Sequence, residues 1–370
     1  MSEQNKVGIV TFHANYNFGA ALQCASLVVA IQNLGFTVEV INFLPKKTTN
    51  KWYRGWGFRK YGVKRALKKK LTDIRFGGKT VESFQRFQKR YFDITKPCHS
   101  LEDVSVIEDQ FSHVVAGSDQ VWRFDRSAAY FLSWSDSFTG TRVSYAPCCT
   151  SLEQPSFQSK NVRRWIDKVD CLSVRNDFSR EAVKALTGRD AEVVADPTLL
   201  VDLELEGELP ESVPSEYILL YTLGGQIAGG NKQVLEKARI HHPGIPVVAI
   251  CATVEHFTEH PYADIILHGM GPSEWVKLIS NARFFITDSF HGVIFSIKYS
   301  TPFLGYYLEE IRAPRLIDLK TRYNLRERIV RNLSEFPDEN FVECIREEPL
   351  ELIRAHQKKS LEFLTHSLSK

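Results

Sequence analysis

Residues 6–43, KVGIVTFHANYNFGAALQCASLVVAIQNLGFTVEVINF, decide the fold. Residues 6–12 form a short apolar run that reads as a buried strand. Residues 19–34 carry an apolar face at helical spacing, and residues 36–43 return to strand chemistry. Strand, helix and strand in that order make a βαβ unit, which demands a right-handed crossover and a parallel sheet covered on both faces.

The same grammar continues outward. SHVVAGSDQVW runs from strand into loop, TRVSYAP is a strand, and CLSVRNDFSREAVKALTG is a strand, a turn and a helix. Asp196-Pro197 breaks the pattern, and the acidic, proline-containing stretch 202–214 reads as a bridge. A second series follows: the strand EYILLYTLG, a helix over 232–240, the strands IPVVAIC and ADIILHG, a helix over 273–281, then ARFFITDSFHGVIFSIKYS. The chain is therefore expected to be α/β, with two Rossmann-like lobes, 1–200 and 201–345, facing each other across a cleft. Residues 346–370 read as an amphipathic helix packing back on the body.

The bulk properties agree. With 370 residues, 43% hydrophobic and 25% charged, the chain can fill two cores of domain size. The seven cysteines are odd in number and lack a C-x-x-C pair, which favours reduced thiols over a disulfide or zinc framework. No long apolar run and no signal-like start are present, so a cytoplasmic location is expected. The net charge of +3 hides an asymmetry: residues 46–70 hold eleven Lys and Arg and no acid, which leaves 36 bases against 44 acids elsewhere. Trp52, Tyr53, Trp56, Phe58 and Tyr61 are interleaved with those cations. The segment is either a solvated loop and helix or a contact for anionic head groups or a pyrophosphate. No nucleic-acid-binding motif accompanies it, and nucleic acid is not expected as a partner.

Four motifs can carry chemistry. TFHANYNFGAALQ begins where the first strand ends; Asn17 and Gly19 suit a tight turn, and the N–H groups of the following helix could hold an anion. In VVAGSDQVW, Asp119, Gln120 and Trp122 could hold a sugar, with Trp122 as a stacking face, or could form a capped helix start with a packing tryptophan. In SVRNDFS, Arg175 suits a carboxylate or phosphate, or pairs with Asp177 or Asp196 as a structural link. In ARFFITDSFHGVIFSI, His291 opens an apolar helix at the end of a buried strand, where its proton is available to a ligand. Arg312 and Arg315 follow about twenty residues later and either reach the same site or are surface arginines, the reading that the residues alone favour. Beyond a weak His256/His260 pair, no histidine or acidic cluster has metal-ligand spacing, and no metal is expected.

These strings, in this order, with DPTLL before the bridge and RAPRLIDLKTRYNLRERI after the histidine, resemble the polysaccharide pyruvyl transferase family over residues 7–328. The resemblance implies a fold like the two-lobed glycosyltransferases of B type (GT-B). It also implies an enzyme that moves the pyruvyl group of phosphoenolpyruvate onto a hexose, such as galactose, of an exopolysaccharide, capsule or lipid-linked precursor. It makes His291 the catalytic residue and Arg175 a donor binder, with Asn17 and Gly19 in the donor loop. Many members carry an arginine two residues before the histidine. Here that position is Ser289, so Arg312 or Arg315 is expected to supply the cation. No cofactor beyond the donor substrate is implied. A glycan acceptor on undecaprenyl diphosphate would give residues 46–70 a peripheral contact with the inner membrane face. The rival reading is a GT-B glycosyltransferase using a nucleotide sugar.

Overall fold

The structure, a computed structural model, describes residues 5–45, 57–122, 127–149, 160–223, 225–228, 230–251, 260–309 and 313–370, without the side chains of 57–69 and 73. Arg312 and residues 46–56 of the basic segment thus lie outside the described residues.

The apolar runs form two parallel sheets. The first holds β1 (Lys6–Val10), β2 (Thr37–Val40), β3 (Asp93–Ile94), β4 (His113–Ala116), β5 (Thr141–Ser144), β6 (Cys171–Val174) and β7 (Glu192–Val193). Its spatial order is β3-β2-β1-β4-β5-β6-β7. The second holds β8 (Ile218–Tyr221), β9 (Val247–Ile250), β10 (Ile265–Leu267), β11 (Phe284–Thr287), β12 (Phe303–Tyr306) and β13 (Ile329–Val330), in the order β10-β9-β8-β11-β12-β13. Every pairing is parallel, with Val10 opposite Ala116 in the first sheet and Thr287 opposite Tyr221 in the second. The strand order reverses between β1 and β4 and again between β8 and β11. Beyond the carboxyl ends of those strands a doubly wound sheet opens a crevice.

Seven helices place the site: α1 (Phe18–Gln32), α2 (Gly57–Tyr91), α3 (Asp177–Thr187), α4 (Pro272–Ser280), α5 (Phe290–Lys298), α6 (Pro314–Arg322) and α7 (Glu347–Leu368). The Asn17 carboxamide oxygen caps α1 by accepting from the Ala20 amide at 3.1 Å. Ser289 Oγ caps α5 by accepting from Gly292 at 3.2 Å. Both helices are buried nearly all round, where the sequence suggested a single apolar face for the first. After α1 the chain turns at Gly35, whose φ of 91° costs a residue without Cβ little.

The lobes share one continuous apolar core. Phe18, on α1 of the first lobe, stacks on Trp275 of α4 in the second at 5.4 Å and on Phe84 of α2 at 5.6 Å. The sequence reading ended the basic insertion at residue 70, but α2 runs on to Tyr91. Its apolar positions are sparse before the buried Thr80, Phe84 and Phe87, so the helical period is faint in the sequence. At the other end of the chain, α7 crosses back to the first lobe. Ser360 Oγ accepts from the Ala195 amide at 2.8 Å, and Gln357 donates to the Leu199 carbonyl at 2.6 Å. Lys298, at the end of α5, pins the start of the bridge through the Thr198 carbonyl at 2.9 Å and Asp202 at 3.0 Å. Among the described residues no helix is long and apolar enough to cross a membrane.

Removing the ring that joins the lobes should be costly. Phe18→Ala is expected to lose about 3–5 kcal/mol of stability, read as a lower urea midpoint.

Candidate active site

The loops after β4, β6, β7 and β11, together with α6, meet in one place, and the charged side chains there form a single cluster around Asp196. Arg175, just after β6, donates from Nη1 to Asp196 Oδ2 at 2.7 Å and from Nη2 to Asp119 Oδ1 at 3.1 Å. The same Nη2 lies 2.9 Å from Cys148 Sγ. Thr198 donates to Asp196 Oδ1 from its amide at 3.1 Å and from its hydroxyl at 2.7 Å. His291 Nε2 faces Asp196 Oδ2 at 3.6 Å, too far for a hydrogen bond. Arg315, on α6, reaches to 3.8 Å from Asp119. The Arg175 and Arg315 guanidiniums both lie against the Phe290 ring, at 4.6 and 5.4 Å from its centre.

The electrostatics follow from burial opposed by pairing. Burial alone would raise Asp196, but its contacts with His291, Arg175 and Thr198 hold it well below the usual carboxylate range. Asp119 behaves alike: burial opposes ionisation, and Arg175 with His291 and Arg315 outweighs it. Burial and the neighbouring Arg175 push Arg315 down. Burial raises the Cys148 thiol, so it is a neutral neighbour of Arg175 at ordinary pH.

Gly19 has a different role from the one its place in the sequence suggested. It lies within α1 in ordinary helical backbone, and what matters is the missing Cβ. A Cβ there would sit 2.0 Å from His291 Nδ1 and 2.5 Å from the ring's Cγ. The imidazole of one lobe is thus seated on the backbone of the other.

Not every expected residue joins this cluster. Arg175, His291, Arg315, Asp119 and Gly19 converge, while Asn17 and Ser289 stand at the helix starts beside it with their side-chain oxygens engaged as caps. Gln120 is half-buried next to Asp119. The stacking role expected of Trp122 is corrected. The residue is 0% exposed, its Nε1 donates to the Tyr130 carbonyl at 2.9 Å, and its ring stacks on Phe131, so no face is left for a sugar. His13 is buried between Thr11 and Asn42 in the first lobe. The sequence reading treated Asp196 only as a structural partner for Arg175. Its position just after a strand and just before Pro197 was the available signal. Cys148, Phe290 and Asn176 gave none.

Three polar atoms at the site are buried without a hydrogen-bond partner among the described residues: His291 Nε2, Arg175 Nε and Asn176 Nδ2. Arg175 and Asn176 border a small recess of about 10 Å³ lined also by Asp196, Phe290 and Arg315. Nitrogens left unpaired in a protein interior cost free energy unless a ligand or water meets them. Asp288 stands apart, at the end of β11. Its carboxylate accepts from the amides of Leu223 at 2.6 Å and Gly225 at 3.4 Å, and burial raises it to about 6.

Two parallel sheets facing across a cleft, with charged groups from both lobes at the strand ends, define the GT-B class of fold. This architecture is similar to that of UGT89C1 of Arabidopsis thaliana in complex with UDP-L-rhamnose, at 12% identity over 100% of each chain with a TM-score of 0.52. The same plant protein without that ligand matches at 12% identity over 98% of this chain and 99% of the other, with a TM-score of 0.50. A putative UDP-N-acetylglucosamine 2-epimerase from Listeria monocytogenes matches at 11% identity over 99% and 91%, with a TM-score of 0.49. At such identities the likeness is one of fold. No curated protein matches the sequence. The model of the polysaccharide pyruvyl transferase family matches residues 17–309, and the chain belongs to that family.

Two outcomes test the site. Gly19→Ala should keep α1 helical, since alanine is the better helix former, yet displace the imidazole; turnover is expected to fall about a hundredfold, while the overpacking costs about 1–3 kcal/mol, read as a modestly lower urea midpoint. Asp288 titrates near 3.8 when unfolded and near 6 when folded, so between these values the folded chain holds a proton that the unfolded chain has released. Stability of the wild type should therefore fall, relative to Asp288→Asn, as pH rises from about 4 to about 6 in urea titrations.

Proposed function

We propose that the protein transfers the pyruvyl group of phosphoenolpyruvate to two hydroxyls of a hexose in a glycan precursor, forming a ketal and releasing phosphate. The observation that carries this reading is the set of unpaired, buried nitrogens of His291, Arg175 and Asn176 beside a second guanidinium, Arg315. A small donor bearing both a carboxylate and a phosphate supplies two anionic groups to such a site, and planar guanidiniums suit both. Family membership supports a transferase.

In this mechanism His291 gives a proton to the methylene carbon of the donor, leaving a cationic centre at the carbon that bears the phosphate. The first sugar hydroxyl adds there and its proton returns to His291. The carbon–oxygen bond to phosphate then breaks, its electron pair leaving with the phosphate. The second hydroxyl closes the ketal, and its proton goes to the departing phosphate. Arg175 and Arg315 stabilise the charge that collects on the leaving group, and Asp196 keeps Arg175 and His291 in register. The acceptor in this proposal is a hexose, such as galactose, on a lipid diphosphate at the inner membrane face.

The rival, glycosyl transfer from a nucleotide sugar, gains little from the second lobe. The amides of Leu223 and Gly225, which a diphosphate could use at the end of β8, already donate to the protein's own Asp288 carboxylate. The deciding measurement is phosphate release from phosphoenolpyruvate with galactose- and ManNAc-terminated lipid-linked acceptors. Acceptor-dependent release that drops at least about a hundredfold in His291→Ala is expected. Absence of release with every acceptor, together with tight binding of a nucleotide sugar, would replace pyruvyl transfer by glycosyl transfer.

A further inference from the structure

The longest helix of the protein changes character along its length. From Phe76 onward α2 is anchored: Phe76 stacks on His268 at 4.6 Å, and Thr80, Phe84 and Phe87 are buried. Phe84 packs against Tyr16 at 5.7 Å and Phe18 at 5.6 Å, in the loop and first turn that deliver Gly19 to the site. Before Phe76 the helix presents apolar side chains to solvent, with Leu71 60% and Ile74 72% exposed. Being three residues apart, they share one side of the helix. Lys70 and Arg75 flank them and are also exposed. The helix starts at Gly57, so roughly 28 Å of it precedes Phe76.

Two exposed aliphatic side chains between cations on a helix make a surface that favours a partner with both negative charge and an apolar interior. The sequence sharpens this: residues 57–75 include eight Lys and Arg against the single acid Asp73. A second copy of the chain would bring like charge onto like charge. A nucleic acid would satisfy the cations but gain nothing from Leu71 and Ile74. An anionic bilayer answers both, since acidic head groups attract the cations while the aliphatic side chains enter the acyl boundary.

We propose that the Lys70–Arg75 stretch of α2 docks on an anionic lipid surface through Leu71 and Ile74. Because the same helix is anchored beside Gly19, docking there places the site at a fixed standoff from the membrane, suited to a substrate that is itself lipid-anchored. That last link rests on the proposed reaction; the docking itself does not.

Cosedimentation of the full chain with vesicles tests the inference apart from any activity assay. The wild type should pellet with vesicles of equal parts phosphatidylglycerol and phosphatidylcholine, and stay in solution with phosphatidylcholine alone. Leu71→Gln/Ile74→Gln should weaken partitioning about tenfold, and Lys70→Gln/Arg75→Gln should weaken it in a salt-dependent way. All three should share one thermal midpoint, because the substituted side chains are exposed. A wild type that remains in the supernatant, or an aliphatic double variant that pellets like the wild type, would overturn the proposal. So would a concentration-dependent dimer in light scattering that vanishes in Leu71→Gln/Ile74→Gln, which would make a second copy the occupant.

Discussion

The carboxylate of Asp196 is the charge on which the site depends. It is buried, and a buried carboxylate survives only with close positive or hydrogen-bonding partners. Those partners come from separate parts of the chain: Arg175 after β6, Thr198 in the next turn, and His291 from the other lobe. Removing Asp196 would leave Asp119 as the one remaining carboxylate facing Arg175, and would take from His291 the carboxylate nearest its Nε2. The position of Asp196, at the end of the first lobe and a few residues before the bridge, makes it a mechanical as well as an electrostatic joint.

Around that charge the apolar core does the heavier work of holding the lobes together. Phe18, Phe84, Tyr221 and Trp275 form an aromatic group that crosses from α1 through α2 to α4 and β8. Burial of this kind is non-directional and sums over area, whereas the ionic cluster is directional and fixes orientation. The division is physical: aromatic packing brings the lobes together, and the Asp196 cluster with the Gly19–His291 contact sets where the imidazole sits.

Much of this was readable from residues alone because parallel strands buried on both faces leave continuous apolar runs. The βαβ start, the two series and the break at Asp196-Pro197 were visible for that reason. His291 and Arg175 were visible because a polar residue at the end of an apolar strand is conspicuous. What escaped depends on three-dimensional proximity. Gly19 looked like a turn residue, yet its importance is the volume it leaves for a ring from the other lobe. Trp122 read either as a sugar platform or as a packing tryptophan, and the choice is made by its stacking partner Phe131 and its acceptor Tyr130, which no local pattern announces. The anchored half of α2 was missed because its few buried positions are diluted by charge.

The contact between Gly19 and His291 also bears on how such a chain can change over generations. One position contributes a side chain and the other contributes its absence, so together they own a single parcel of space. A lineage that gained a methyl group at position 19 could keep its fold only by moving or shrinking the ring at position 291. The two sites, 272 residues apart in sequence, therefore share one volume, so that a change of size at either is felt at the other.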